Sequence, residues 1–232
     1  MPTTDISSGL DGLVRQSSTT SFAQAVSGGG NFSSGTFNQV ANVQSGTTFF
    51  CGRTFFQFDT TSIATDQVAT AATITVRLSA KRGGTTDDTE NHKMFISTNH
   101  AGAFGNSSFD TVGDACSDVV DVASIVGASL TFTLDSTGIA YINTQLGAGN
   151  KCAFLQRCQN DYQNPGVDPS GVNFRTFNDL EDATSAFRPV LSITHDTSTT
   201  GFGNNVIGVG SGNIAEVIGV ATANIEEIIG NK

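Results

Sequence analysis

Residues 73–81, TITVRLSAK, carry the pattern that decides the fold of this chain. Ile74, Val76 and Leu78 alternate with polar side chains, which is the two-residue period of a strand with one buried face. The same alternation recurs in two further stretches, SLTFTLD at residues 129–135 and VLSITH at residues 190–195. Strands rich in Thr, Val, Ile and Phe, separated by clusters of Gly, Asn, Asp and Ser, predict an all-β protein built as an antiparallel β-sandwich. Helical periodicity is not evident before the last segment of the chain.

One strand differs from the others because it is apolar on both faces. It is TFFCGRTFFQF, Thr48–Phe58. Its two faces carry Phe50, Phe56 and Phe58 on one side, and Phe49, Cys51, Arg53 and Phe55 on the other. A strand with two apolar faces is covered on both. The second face is therefore expected to meet a loop, another layer or a neighbouring subunit, which favours oligomerisation.

Composition excludes several classes of partner. The chain has 232 residues, a net charge of −10 and only 14% charged residues. Phosphate binding needs clustered Lys and Arg, so nucleic acid is not an expected partner. No stretch is long and apolar enough to cross a bilayer, and the start MPTTDISSG lacks the features of a signal peptide. We expect a soluble protein that is not exported and does not bind membranes.

The four cysteines are expected to be buried free thiols. They are Cys51, Cys116, Cys152 and Cys158, and they form neither a C-x-x-C pair nor a cluster with histidine. Cys152 and Cys158 would share a face of one strand, about 20 Å apart and too far for a disulfide. A bridge between Cys116 and one of the others remains the alternative.

The chain carries few motifs that indicate catalysis or metal binding. The chain has no G-x-S-x-G, P-loop or H-E-x-x-H motif, so we predict no enzymatic activity and no organic cofactor. Acidic pairs such as Asp87 with Asp88 are expected to be solvated rather than catalytic. Oxygen ligands in DDTEN, SFDTVGD and NDYQNPGVDPSG would suit a structural calcium ion, but no spacing among them is diagnostic.

The long loop at residues 159–171 is the expected place for ligand binding. Long ordered loops often carry binding residues. The chain has no Trp and two Tyr, so the usual stacking platform for sugars is poor. Within this loop the candidate ligand-binding residues are Tyr162, Asp161 and Asp168.

The last segment, residues 206–232, has an apolar repeat of eleven residues. Ile207 recurs as Ile218 and Ile229, and the apolar steps of three and four predict the stripe of an amphipathic helix. The expected assembly residues are Val206, Ile207, Ile214, Val217, Ile218, Ile225, Ile228 and Ile229. Because a short helix is marginal alone, the stripe is expected to associate with copies of itself, to dock into another protein, or to pack back onto its own domain.

These patterns divide the chain into a sandwich at residues 1–196, a linker at 197–205 and an assembly tail, helical or irregular, at 206–232. The linker is rich in Thr, Gly and Asn. We use the name assembly tail for residues 206–232 throughout.

The stretch RTFFQFDTTSIATDQVATAATITVRLSA, residues 53–80, resembles a known family. It is similar to jelly-roll domains related to carbohydrate-binding modules, called DNRLRE-type domains, which occur in secreted bacterial enzymes and in bacteriophage structural proteins. Residues 11–31 and 187–195 fit the same pattern. The match is carried by Arg53, Phe58, Asp59, Arg188 and Pro189. What the resemblance implies for these residues is jelly-roll architecture rather than a particular function.

The assembly tail also resembles short repeats of phage tail and fibre proteins. Together the two resemblances imply a non-enzymatic bacteriophage virion protein, a homotrimeric capsid decoration (cement) or fibre protein assembled in the host cytoplasm. Its partners would be itself and other virion proteins, such as the major capsid or tail protein. The alternative is a receptor- or carbohydrate-binding adhesin of a tail fibre that contacts host surface glycans. A third class, a secreted polysaccharide-active enzyme or its accessory module, would require an upstream signal peptide.

Overall fold

The structure, a computed structural model, describes residues 1–27, 31–35, 38–82, 91–100, 109–122, 126–163, 165–169, 172–179, 182–197, 216–217 and 220–221. The chain forms two compact units, Met1–Asp196 and Thr197–Lys232.

The first unit is mostly β-strand. Its strands are β1 Thr3–Ser18, β2 Asn31–Gly35, β3 Asn38–Ser45, β4 Thr48–Phe58, β5 Gln67–Arg82, β6 Asn91–Ser97, β7 Val112–Ala115, β8 Val120–Asp121, β9 Ser129–Thr133, β10 Cys152–Cys158, β11 Val172–Phe177 and β12 Val190–Thr197. Its α-helices are α1 Phe22–Val26, α2 Ser136–Ala148 and α3 Gln159–Tyr162. No helix among the described residues combines the length and the apolar character that crossing a membrane requires.

The strands join in one antiparallel network that forms both layers of a sandwich. The hydrogen-bonded order is β2-β1-β12-β5-β11-β3-β4-β10-β6-β7, with β8 beside β6, β9 beside β5, and a further pairing of β1 with β4. The long strand β1 connects the layers, because Thr3–Ser7 pairs with β12 whereas Leu10–Ser18 pairs with β4. The predicted all-β antiparallel sandwich, with a jelly-roll-like arrangement of strands, is confirmed.

The predicted alternation is confirmed in the main core. Ile74, Val76 and Leu78 are at most 1% exposed, and Leu191 and Ile193 are fully buried. They pack in one cluster with side chains of β4, β6, β9, β10 and α2. The alternation works because side chains at i and i+2 point to the same face of a strand, so the apolar set of each strand reaches one interior.

The second face of β4 is covered by the chain itself. Phe56 and Phe58 belong to the main core, whereas Phe49, Cys51 and Phe55 belong to a separate apolar cluster. We call this cluster the second core; its other buried members are Val14, Phe22, Ala25, Phe95, Phe109, Ala153 and Leu155. The two-sided burial of β4 is therefore confirmed. Of the three expected covers, a loop, another layer or a neighbouring subunit, the same chain supplies this one through α1 and Phe109. The burial of β4 therefore gives no support to a subunit contact, and oligomerisation stays a prediction.

Helix α2 was not predicted from the sequence. Asp135 caps its start by accepting hydrogen bonds from the backbone N–H groups of Thr137 and Gly138, and Gly149 ends it in the left-handed conformation with φ 65°. Ile142 and Leu146 bury one face of the helix in the main core. The four-residue spacing of these two side chains and the capping Asp were the signals available.

All four cysteines are buried free thiols, as predicted. Cys116, Cys152 and Cys158 lie in the main core and Cys51 lies in the second core. The alternative of a bridge from Cys116 was wrong.

The assembly tail is described at four residues, which form two short strands rather than a helix. These are β13 Glu216–Val217 and β14 Val220–Ala221, paired antiparallel with Glu216 opposite Ala221 and Val217 opposite Val220. The expected helical stripe is thus wrong at these positions. The valines are β-branched, and β-branched side chains favour strands over helices.

Candidate functional site

Asp161, one of the predicted ligand-binding residues, lies at the centre of a buried ion-pair cluster. Arg53 donates from Nε to Oδ2 at 2.8 Å and from Nη2 to Oδ1 at 2.7 Å. Arg157 donates from Nε to Oδ2 and from Nη2 to Oδ1, both at 2.8 Å. The side chain of Asp161 is 0% exposed. We call these three residues the arginine clamp.

Local structure places each member of the clamp. Helix α3 follows β10 directly, so Arg157 and Asp161 are four residues apart, and Arg157 also donates to the backbone oxygen of Asp161 at 3.0 Å. Arg53 projects from β4, the strand paired with β10. Its guanidinium donates to the backbone oxygens of Phe109 at 2.7 Å and Val26 at 3.2 Å. The clamp therefore ties β4, β10, α3, α1 and the segment at Phe109 together.

Two aromatic rings cover the guanidinium groups. The Cζ atom of Arg53 lies 3.8 Å from the ring centroid of Phe109, and that of Arg157 lies 4.6 Å from the ring centroid of Phe95. A cation over an aromatic face is attracted by the ring quadrupole, more strongly where water is excluded. Both rings belong to the second core, so the ion pairs and the apolar packing stabilise the same region.

The charges of the clamp determine its protonation states. Burial alone would raise the pKa of Asp161, but the charges of Arg53 and Arg157 and their hydrogen bonds hold it well below its usual value. Burial alone would lower the pKa of Arg53, but the charge of Asp161 and its hydrogen bond with Arg53 outweigh this effect and hold the pKa above its usual value. For the neighbouring Cys51, burial and then Asp161 raise the pKa of the thiol. The carboxylate is thus ionised and the thiol protonated at neutral pH.

The Asp161 carboxylate uses its hydrogen-bonding capacity within the chain itself. Each carboxylate oxygen of Asp161 accepts from both arginines. A surface ligand would have to displace charge-assisted hydrogen bonds in a buried site, which are the strong ones. The interpretation of Asp161 as a ligand-binding residue does not fit this environment.

The two other candidates from the loop also contact the second core. The ring of Tyr162 packs against Phe95 at a centroid distance of 5.4 Å, and burial raises the pKa of its hydroxyl. Asp168 accepts a hydrogen bond from the backbone N–H of Phe22 at 2.9 Å, which fixes the start of α1. The structure thus brings the three residues to one region, where each has a role in holding the chain's own elements.

Of the predicted assembly residues, Val217 lies in β13. The others, Val206, Ile207, Ile214, Ile218, Ile225, Ile228 and Ile229, lie outside the described residues.

An open groove of about 550 Å³ runs between β5, β9 and α2. It is lined by Thr70, Ala71, Ala72, Thr73, Thr133, Leu134, Asp135, Ser136, Ile139, Ala140 and Asn143. Two of the polar side chains hold its walls, since Asp135 caps α2 and Asn143 bonds both backbone groups of Ala69 at 2.6 and 3.1 Å. Sequence reasoning did not identify the groove because it did not identify α2.

Potential metal ligands and histidines are scattered over the described residues. Among the described residues, no three His, Cys, Asp or Glu side chains gather as a metal site would require. The predicted calcium segment DDTEN lies outside the described residues except for Asn91. His195 joins three strands, with Nε2 2.9 Å from Thr4 Oγ1 and Nδ1 3.0 Å from Gln67 Oε1. These contacts give His195 a structural role, because they connect β12 to β1 and β5.

No protein-family model matches this chain, and no curated protein is significantly similar to it.

Proposed function

We propose that this chain is a non-enzymatic structural protein of a bacteriophage virion. It is a β-sandwich that decorates the capsid or forms a short fibre, and it assembles as a homotrimer through residues 206–232. The observation that carries the proposal is the division of the chain: the apolar eleven-residue repeat falls within a compact unit of its own, Thr197–Lys232.

The chemistry of the sandwich supports a structural role. In its buried charged cluster, the arginine clamp, the carboxylate of Asp161 forms ion pairs with both Arg53 and Arg157. Its conspicuous thiols are buried, and burial raises the pKa of Cys152 and Cys158 to about 12, which opposes nucleophilic chemistry at neutral pH. The resemblance to jelly-roll domains of phage structural proteins points the same way.

The composition of the assembly tail supports association with other chains. Its isoleucines and valines recur every eleven residues, with Ile207, Ile218 and Ile229 as one such series. Large apolar side chains gain about 25 cal/mol for each Å² of their surface that association removes from water. Burial against copies of the same segment, or against a capsid or tail protein, provides that gain.

The proposal is tested by the mass of the full-length protein in solution, measured by light scattering or sedimentation. We expect a trimer for the natural chain. The double substitution Ile218→Asp and Ile225→Asp places charges within the apolar repeat and should yield a monomer whose sandwich remains folded. Thr222→Asp, at a polar position of the same repeat, is the matched control and should remain a trimer.

A monomeric natural chain would contradict self-association. A trimer that survives the double substitution would show that the association does not depend on the repeat. Electron microscopy of particles that carry the protein then distinguishes the capsid from the tail as its location.

The groove beside α2 favours a second candidate, the glycan-binding adhesin of a tail fibre. Its rim offers threonine and serine hydroxyls suited to hydrogen bonds with sugars, including Thr73, Thr133 and Ser136. Ala140 is exposed on the groove wall, so Ala140→Arg fills the groove without disturbing the core. Lost binding on a glycan panel, with unchanged binding for Ala148→Arg at the far end of α2, would support the adhesin.

A further inference from the structure

Thr54 on β4 and Gln156 on β10 face each other inside the sandwich. They are register partners in the antiparallel pairing of the two strands. Both side chains are fully buried. Facing side chains of an antiparallel pair have Cβ atoms about 4.5–5.5 Å apart. At that separation, rotation about the side-chain bonds is sufficient for the Thr54 hydroxyl to reach the amide carbon of Gln156.

Each of the two residues has a buried polar atom that lacks a partner. Within the described part of the chain, neither Thr54 Oγ1 nor Gln156 Oε1 has a hydrogen-bond partner. A buried hydroxyl without a partner is costly, and native proteins contain few of them. A reaction that consumes the Thr54 hydroxyl would remove part of this cost.

A histidine lies at the nitrogen of the same amide. His92, on β6, is fully buried, and its Nδ1 is 2.9 Å from Nε2 of Gln156. Because an amide nitrogen can only donate, Nδ1 is the acceptor and the proton of the neutral ring is on Nε2. The ring packs edge-on against Phe177 at a centroid distance of 5.9 Å, which helps to fix its orientation.

This arrangement has the parts that acyl transfer from an amide requires. In that chemistry one imidazole nitrogen takes the proton from the attacking hydroxyl and returns it to the leaving nitrogen. Nδ1 of His92 is unprotonated and already adjacent to the nitrogen that would leave. The hydroxyl, the amide and the base are thus placed on three neighbouring strands, β4, β10 and β6.

We propose that Thr54 and Gln156 become joined by an intramolecular ester bond. Thr54 Oγ1 attacks Cδ of Gln156, and the Cδ–Nε2 bond breaks. The hydroxyl proton passes through Nδ1 of His92 to the leaving nitrogen, which departs as ammonia. The amide carbonyl becomes the ester carbonyl, nothing is oxidised or reduced, and His92 ends in its starting state.

The cross-link would join β4 and β10, which are far apart in sequence. A covalent bond that closes a long loop restricts the unfolded chain more than a short one does. The bond would therefore stabilise the sandwich against unfolding, independently of what the assembly tail does.

The test is mass spectrometry of the folded, full-length protein after incubation at neutral pH. We expect the intact mass, measured under denaturing conditions, to be lower than the sequence mass by one ammonia. After trypsin, the peptide of residues 54–77 should remain attached to the peptide of residues 152–157. Hydroxylamine, which cleaves esters and leaves amides intact, should separate the two.

Substitutions locate the bond. Thr54→Val keeps the shape of the side chain without the hydroxyl and should restore the full mass, whereas Thr131→Val, at an exposed position on β9, should leave the ammonia deficit unchanged. His92→Phe should slow the loss of ammonia at least tenfold. A natural protein with the full sequence mass and separate peptides would overturn the proposal, as would an ammonia deficit on a single unlinked peptide.

Discussion

Arg53 and Asp161, 108 positions apart in the sequence, form a two-pronged ion pair with donor–acceptor distances of 2.8 and 2.7 Å. The pair is buried, with 4% and 0% of the two side chains exposed. A planar guanidinium matches a carboxylate in this geometry, which Lys cannot reproduce. The ion pair connects β4 to α3, the helix that follows β10, so it holds α3 in place beside the second core.

Removal of Asp161 should destabilise the protein strongly. Asp161→Ala leaves the charges of Arg53 and Arg157 buried without their partner. Breaking one side of a buried ion pair costs about 3–5 kcal/mol. We expect a decrease of that size in the free energy of unfolding, measured by urea denaturation.

The control for this variant is Asp66→Ala, at an exposed carboxylate, with an expected change within about 0.5 kcal/mol. Equal effects of the two substitutions would mean that the arginine clamp does not stabilise the fold. The effect of Arg53→Lys should fall between those of Asp66→Ala and Asp161→Ala, since lysine keeps the charge but loses the second hydrogen bond to Asp161.

The clamp also predicts how stability depends on pH. The pKa of Asp161 is lower in the folded protein than in the unfolded chain, where it is about 3.9. The unfolded chain therefore binds a proton first as the pH falls. The contribution of Asp161 is complete above the unfolded pKa and is lost as the pH falls through the folded value.

Acid denaturation of Asp161→Asn should accordingly be less steep than that of the natural protein below about pH 4. The measurement is the free energy of unfolding at a series of pH values from neutral to acid. Parallel curves for the two proteins would show that Asp161 does not titrate differently on folding.

Two glycines of α2 should respond in opposite ways to the same substitution. A Cβ at Gly138 would lie 2.7 Å from the backbone oxygen of Cys116 and 3.0 Å from Cβ of Leu134. A Cβ at Gly147 would meet nothing within 4 Å. Gly138→Ala should therefore lower the free energy of unfolding by about 1–3 kcal/mol, because the added methyl group overpacks the site. The melting temperature should fall with it.

Gly147→Ala is the matched control, and it should raise the melting temperature because alanine favours the helix by about 0.5–1 kcal/mol over glycine. Stabilisation by both substitutions would mean that α2 does not pack closely against Cys116.

The four thiols should be inert in the folded protein. All are buried, and burial raises the pKa of Cys152 and Cys158 to about 12. Since the thiolate is the reactive form, a thiol reagent at pH 8 should label the denatured protein fully and the native protein hardly at all. Thr131→Cys, exposed on β9, should add one rapidly labelled thiol. Rapid labelling of all four native cysteines would contradict their burial.

Local pattern predicted the strands better than the helix. The bounds of β4, Thr48–Phe58, are those expected from its run of phenylalanines. The sequence of α2, STGIAYINTQLGA, contains Ser, Thr and two Gly, residues with low helix propensity. It forms a helix because Asp135 caps it and because Ile142 and Leu146 can be buried in the main core. That stabilisation is tertiary, so propensity alone did not indicate it.

The candidate site was predicted only in part. The sequence drew attention to Tyr162, Asp161 and Asp168 as residues of a long loop, but its first four residues form α3. Their partners, Phe95, Arg53 and the backbone of Phe22, come from other strands and from α1. Because a loop carboxylate looks the same in a sequence whether it meets water or arginine, the structural role of Asp161 was not predictable.

The sequence by itself determined which residues of the alternating strands β5, β9 and β12 are buried, because the side chains at positions i and i+2 of a strand share a face. Ile74, Val76 and Leu78 needed no distant information to be assigned to a core. Only the tertiary structure decided what covers the second face of β4 and that Arg53 meets Asp161. Those outcomes depend on strand register and on charges brought together from distant segments, and the burial of a charge is tolerated only where its partner is already in place.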